Sequence, residues 1–292
     1  MAHLFPSSIV SPRALALAVV VPPLVILLLF FVVPLAYLLF ISFMTNSSSD
    51  LFDLTPTLVN YTEIFSDSFY LLIIQRTLLS TAVILALCFL LGYPVAFYLS
   101  RLSARSRLLM LMALMVPLMI SNVVRAYGWI AILSRQGLVS TTLVETGVIA
   151  RPMQFLYSFE AITLGLLTIL LPFMIISLTN SLTTIDKSYL EAAESLGAGP
   201  WRTFFRVTLP LSSPGIASGL MLVTFLTLSA YVAIALLGGP RYKLLVSLVF
   251  DSVTTFRWPR AAALSFVLLF IALMIAILIQ IVVRPNRVQG RG

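Results

Sequence analysis

Ala261-Ala-Ala-Leu-Ser-Phe-Val-Leu-Leu-Phe-Ile-Ala-Leu-Met-Ile-Ala-Ile-Leu-Ile-Gln-Ile-Val-Val283 runs without a charged side chain and is followed at once by Arg284. Crossing about 30 Å of hydrocarbon takes about 20 apolar residues in a helix. This stretch meets that length, and it is too long and too continuously apolar for a barrel strand. In lipid every backbone N–H and C=O must be satisfied within the segment, so a helix is the expected form.

Working outward, the same test predicts helices over residues 14–43, 71–99, 108–133, 161–182 and 214–237, with the sixth at 261–283. The expected fold is all-α, a polytopic membrane bundle of six helices in one domain over 1–292. Composition agrees: 60% of the residues are hydrophobic and 10% charged, where soluble domains carry about a quarter charged. The apolar run of 14–43 exceeds the usual signal-sequence core. With Pro22, Pro23 and Pro34 and no clear small-residue cleavage site, it reads as a retained span.

The net charge of +8 is spread between apolar blocks. It fits loop charges that set membrane orientation and does not point to nucleic acid. Arg101, Arg105 and Arg107 fall between the second and third spans, and Lys187, Arg202 and Arg206 between the fourth and fifth. Arg13 precedes the first span, and Arg284, Arg287 and Arg291 follow the sixth. All four segments share a side, expected to be the cytoplasm, with both termini inside. Asp50, Asp53, Glu63 and Asp67 put the first loop outside. Arg241, Lys243, Arg257 and Arg260 in the last outer loop run against the rule.

The single Cys88 allows no intrachain disulfide, and the single His3 leaves no histidine triad or zinc cluster. No Gly-x-x-x-x-Gly-Lys-Ser/Thr loop occurs, so the chain binds no nucleotide through a P-loop. An enzyme embedded in the membrane lacks its catalytic constellation here.

The segment 186–210 reads Asp-Lys-Ser-Tyr-Leu-Glu-Ala-Ala-Glu-Ser-Leu-Gly-Ala-Gly-Pro-Trp-Arg-Thr-Phe-Phe-Arg-Val-Thr-Leu-Pro. Asp186 can cap a helix starting at Lys187, and Gly197 suits the left-handed position after its end. Tyr189, Ala192, Ala193 and Leu196 share one face, which two alanines keep shallow. Gly199 and Pro200 can open a second short helix, Pro210 ends it, and Pro214 can open the fifth span. By geometry alone this helix either docks against a partner or lies in the headgroups.

Its spacing resembles the Glu-Ala-Ala motif of ABC importer permeases. Glu191-Ala192-Ala193, three residues, Gly197, nine residues, Val207, one residue, Leu209-Pro210 matches the family pattern except that valine replaces isoleucine. The resemblance implies a cytoplasmic coupling helix seated in a cleft of a separate ATPase subunit. Glu191 would make polar contact, Ala192 and Ala193 close packing, and Gly197 the turn. Ser121–Trp129, Ile169–Phe173 and Leu236–Pro240 resemble the spermidine/putrescine-type subfamily. The resemblance extends from the first span to the last. It implies a bacterial inner-membrane permease, partnered by two ATPase subunits that use ATP and magnesium, a second homologous permease and an external solute-binding protein. The implied solute is a polyamine or similar organic cation. Ferric iron or an anion is the alternative within the family, and a secondary carrier or channel the alternative outside it.

Candidate pathway residues follow from the cost of polar groups in a membrane. Arg125 is either a gate in the pathway or a structural arginine, ion-paired or snorkelling. Tyr127, Trp129 and Tyr231 either cage an ammonium or pack as an interfacial belt. Asp251, like Glu160, either binds a cation or caps a helix at the outer side. Arg76 is expected to anchor the second span at the headgroups. Gly92, Pro94, Pro117 and Pro172 are expected to bend helices.

Overall fold

The computed structural model describes residues 12–47 and 50–283. His3 and the terminal Arg284, Arg287 and Arg291 lie outside the described residues.

Helix α1 spans Pro12–Ser42. A short antiparallel pair follows, β1 (Met44–Thr45) and β2 (Asp53–Pro56), then α2 (Val59–Ser66) and the long α3 (Ser68–Arg101). Next come α4 (Ala104–Met115), a 3₁₀ turn at Val116–Met119, α5 (Asn122–Leu133) and α6 (Leu138–Glu145). Helix α7 covers Phe159–Thr183 and α8 covers Lys187–Ser195. Helix α9 (Pro200–Thr203) leads through a π turn at Phe204–Thr208 into α10 (Leu209–Leu211) and α11 (Ser213–Ser229). The chain closes with α12 (Tyr231–Gly238), α13 (Leu245–Thr254) and α14 (Trp258–Val282).

Among the described residues four helices are long and apolar enough to cross a membrane unbroken: α1, α3, α7 and α14. Two bent helix pairs are apolar enough when each is taken together. The segment 104–119 meets 122–145 at 83°, and 200–211 meets 213–229 at 62°. The structure thus has four to six apolar spans, where hydropathy predicts six continuous ones. In the third, Pro117 sits in the 3₁₀ turn that ends α4. In the fifth, the bend falls at Ser212 (φ −83°, ψ 1°) between α10 and α11, and a separate interruption follows at Ala230 (φ −78°, ψ 51°) before α12. Pro94 and Pro172 lie inside continuous α3 and α7.

Helix α7 is the centre. Of its most apolar window 56% is buried, against 6% for α1. Leu166, Leu170, Met174 and Leu178 repeat every fourth residue and form one buried ridge. They pack with Ile84 and Cys88 of α3, Val223 of α11, and Ile234 and Leu237 of α12. Helix α11 reaches α7 closely because it presents Gly215-Ile-Ala-Ser-Gly219, the small-xxx-small spacing that lets backbones approach in lipid. A β-carbon on Gly219 would meet Met174 Sδ at 2.6 Å, and one on Gly92 would meet Met174 Cγ at 3.3 Å. Met174 therefore lies between two glycine gaps. Ser177 and Ser218 hydrogen-bond at 2.9 Å across the same interface.

A second core joins Ile64 of α2, Ile73 of α3, Leu245 and Leu248 of α13, and Ala263, Leu264 and Val267 of α14. Buried Asn60 fastens α1 to it. Its amide donates to the carbonyls of Ser42 (3.1 Å) and Met44 (2.9 Å), and its Oδ1 accepts from Asn46 at 3.0 Å. Arg260 at the start of α14 completes the brace with an ion pair to Glu63 at 2.5 Å. Arg76 lies over the Tyr242 ring, 4.8 Å from its centroid, and so ties α3 to the loop between α12 and α13.

Candidate functional site

The segment 186–210 stands out from the bundle. Asp186 Oδ1 accepts the Ser188 backbone N–H at 2.9 Å, satisfying one of the orphan donors at the start of α8. Hydrogen bonds from the Ser188 backbone and side chain hold the Asp186 carboxyl below the usual carboxylate range. At the other end Gly197 has φ +75°. Its N–H donates to Glu194 O at 2.8 Å, and Ala198 N–H donates to Ala193 O at 3.0 Å. This pair of bonds is the Schellman termination, which favours glycine.

No residue of α8 is buried. Glu191, Ala192 and Gly197 are exposed and Ala193 is half-buried. Leu196 is 88% exposed and, beyond the turn, Trp201 75%; Trp201 and Phe205 stack at 6.2 Å. An apolar face left open on a polar segment is the pattern of protein–protein and membrane contact surfaces alike. Phe204 turns the other way and sets its edge against Tyr93 (5.5 Å) and Phe97 (5.7 Å) of α3. Val207, Leu209 and Pro210 lie half-buried at the base of α11. Behind α8, a cleft of about 520 Å³ is lined by Arg101, Arg107, Lys187, Glu191 and Glu194 among others.

The two broken spans meet at a cavity of about 330 Å³. Leu118 and Asn122 reach it from the first break, Ser229, Ala230 and Tyr231 from the interruption between α11 and α12, and Leu166, Ile169, Leu170 and Phe173 from α7. Interrupted helices at membrane depth are tolerated where they line a cavity, because the freed backbone groups find partners there. Tyr231 also borders a second pocket of about 250 Å³ with Gly239, Pro240, Lys243, Ser247 and Asp251. Its ring stacks on Phe250 at 3.9 Å and 20°. Asp251 accepts from Lys243 Nζ at 2.5 Å.

The structure thus brings Tyr231 and Asp251 together and separates them from the other candidates. Arg125 donates to the carbonyls of Pro117 and Ile120, so it caps the broken end of the 3₁₀ turn. Trp129 donates its indole N–H to Thr168 Oγ1 at 3.3 Å, tying α5 to α7. Tyr127 is 59% exposed on α5. None of these three lines either cavity. Asn122, Ser229, Lys243 and Ser247 are the lining residues that sequence reading passed over. Lys243 alone carried a signal, an opposite charge eight residues before Asp251.

With this geometry in view, residues 88–287 match the family model described as binding-protein-dependent transport system inner membrane component. The chain belongs to that family. This ABC-importer permease is a transport subunit and not an enzyme. It is 32% identical over 237 residues to the spermidine/putrescine transport system permease protein PotB of Haemophilus influenzae, covering 81% of this chain and 82% of the relative. It is 34% identical over 228 residues to the protein of the same name from Escherichia coli, covering 78% and 82%. A crystal structure of a bacterial ABC transporter importing the acidic polysaccharide alginate superposes with a TM-score of 0.75 over 94% of this chain and 97% of that one, at 20% identity. That likeness concerns the fold. The permease is accordingly a multi-pass inner-membrane protein, with the fold of a subunit of a multi-subunit importer.

Proposed function

We propose that this permease forms, with a second permease subunit, the membrane path for a polyamine or similar small organic cation. An external binding protein delivers the solute, and α8 is the coupling helix that docks on one of two ATPase subunits. The relatives named for spermidine and putrescine support the solute class. The observation that carries it is Asp251 beside Tyr231, at a pocket that adjoins the cavity between the broken spans. A carboxylate next to an aromatic ring suits an ammonium group. The sequestration of Arg125 against backbone carbonyls supports a cation over an anion, since it withdraws that positive charge from the cavity.

In this reading ATP closes the ATPase pair and draws the coupling helices together, and the path opens outward. Hydrolysis resets it inward. Glu191, Ala192, Ala193 and Gly197 present the docking surface, and Leu209 and Pro210 join it to the bundle.

The test is a mild-detergent pull-down of the tagged chain, followed by ATPase assays with binding protein and either spermidine or putrescine. An ATPase partner whose hydrolysis rises with a polyamine supports both parts. Stimulation by an acidic saccharide and not by polyamines moves the solute class to anions. A folded chain with no ATPase partner overturns the coupling role of α8.

A further inference from the structure

The pocket that holds Asp251 already contains a primary ammonium, and it belongs to the chain itself. Lys243 Nζ sits 2.5 Å from Asp251 Oδ2. The backbone carrying Lys243 is fixed on both sides. Tyr242 N–H donates to Gly238 O at 3.0 Å, and Leu245 N–H donates to Thr77 Oγ1 at 2.9 Å. The lysine therefore approaches the carboxylate from a set position at the rim.

Its occupancy is incomplete. Ser247 lies one helical turn before Asp251 on α13, so the two side chains share a face. Ser247 is 5% exposed and lines the same pocket, yet its hydroxyl has no hydrogen-bond partner among the described residues. A buried polar atom left unpaired costs stability. An ammonium has three donors, and Lys243 spends one on Asp251 without reaching Ser247. A free alkylammonium is not bound by a tether. It could give one N–H to Asp251 and one to Ser247 while resting beside Tyr231, whose ring plane Phe250 fixes from behind.

We propose that Lys243 is a tethered stand-in for the substrate's ammonium group, occupying Asp251 until an incoming primary amine displaces it toward the cavity beyond Tyr231. The inference rests on the cation reading above. Such a plug keeps the carboxylate neutralised between transport events and sets a threshold that a monovalent inorganic ion, with no apolar chain to bury, does not pass. The Lys243–Asp251 pair is part-exposed, with side chains at 33% and 45%, so the competitor is a weak one, lowering affinity about fivefold.

The experiment measures binding of radiolabelled spermidine to the complete importer complex in nanodiscs, without binding protein. The native Cys88 is buried, so Lys243→Cys introduces a single reactive thiol into this chain. Lys243→Cys should bind spermidine about fivefold more tightly than the native complex. Aminoethyl methanethiosulfonate, which rebuilds a tethered ammonium, should return the affinity to the native value. The neutral methyl reagent should leave it tight, and Lys243→Arg should resemble the native protein. Spermidine binding that is equal in all forms, or weaker in Lys243→Cys, overturns the stand-in role while leaving the cation reading intact. Absence of binding in every form, together with absence of polyamine uptake, overturns that reading and the stand-in with it.

Discussion

The phenol of Tyr93 on α3 lies 2.9 Å from the hydroxyl of Ser212, 119 residues away and at the joint between α10 and α11. Ser212 gives its own proton to Leu209 O at 2.9 Å, so Tyr93 is the donor. The bond is buried and stands beside the Phe204 edge that also touches Tyr93. It fastens the base of the proposed coupling segment to the longest helix of the bundle. Tyr93→Phe should cost about 1 kcal/mol, seen as a lower unfolding temperature of the assembled importer. If force passes through this joint, uptake per ATP hydrolysed should fall as well. An unchanged ratio would confine Tyr93 to stability.

Gly197 is constrained by its own backbone and not by its surroundings. A β-carbon there would meet nothing within 4 Å, while φ stands at +75°. A non-glycine residue in this region costs about 1–2 kcal/mol, and asparagine least. Aspartate adds a negative charge where the helix dipole is already negative. The expected order of uptake is Gly197→Asn above Gly197→Ala above Gly197→Asp, the last abolished, with membrane insertion normal in all three. Uptake assays alongside quantification of inserted protein would check this. Full activity of the aspartate variant would count against α8 as the docking element.

Arg125→Ala should destabilise the permease. It removes the guanidinium bonds to the Pro117 and Ile120 carbonyls at the break, which are exposed, at about 1 kcal/mol in all. The surviving folded protein should keep its native half-saturating solute concentration. A changed concentration dependence with unchanged stability would instead place Arg125 in the path.

The α7–α11 interface yields a graded pair. At Gly219 an added methyl meets the flexible Met174 side chain. At Gly215 it meets Ser181 together with the Ser177 carbonyl, which is backbone. Overpacking costs about 1–3 kcal/mol, so thermal unfolding should show Gly215→Ala worse than Gly219→Ala. Met174→Ala should relieve the second and not the first.

How far these features are legible in sequence differs by feature. Apolar length announces a membrane bundle because lipid demands it everywhere along a span. Hydropathy is blind to a backbone that stops within an apolar run, so the third and fifth crossings read as continuous. Pro117 hints at the first break; Ser229-Ala230 hints at nothing. Asp186 and Gly197 stand in the sequence at the two ends of α8, since capping is a local matter. The Gly215–Gly219 spacing was there to be read. That Tyr231 and Asp251 share a pocket follows from how α12 folds back on α13, which no local rule supplies. Arg125 reads equally as a gate or as a structural arginine because its acceptors are main-chain carbonyls, which a sequence does not display.

The π turn at Phe204–Thr208 has one consequence for motion. Leu209 N–H bonds to Phe204 O, five residues back, so this stretch holds one residue more than an α-helical turn would. Pro210 follows it immediately and has no N–H to lose from the ordinary ladder. Taking up that surplus residue would rotate the chain on one side relative to the other by about 100°, breaking few hydrogen bonds. The connection between α8 and the bundle therefore stores slack, and a pull on the exposed segment would first be spent as twist before it became displacement of α11.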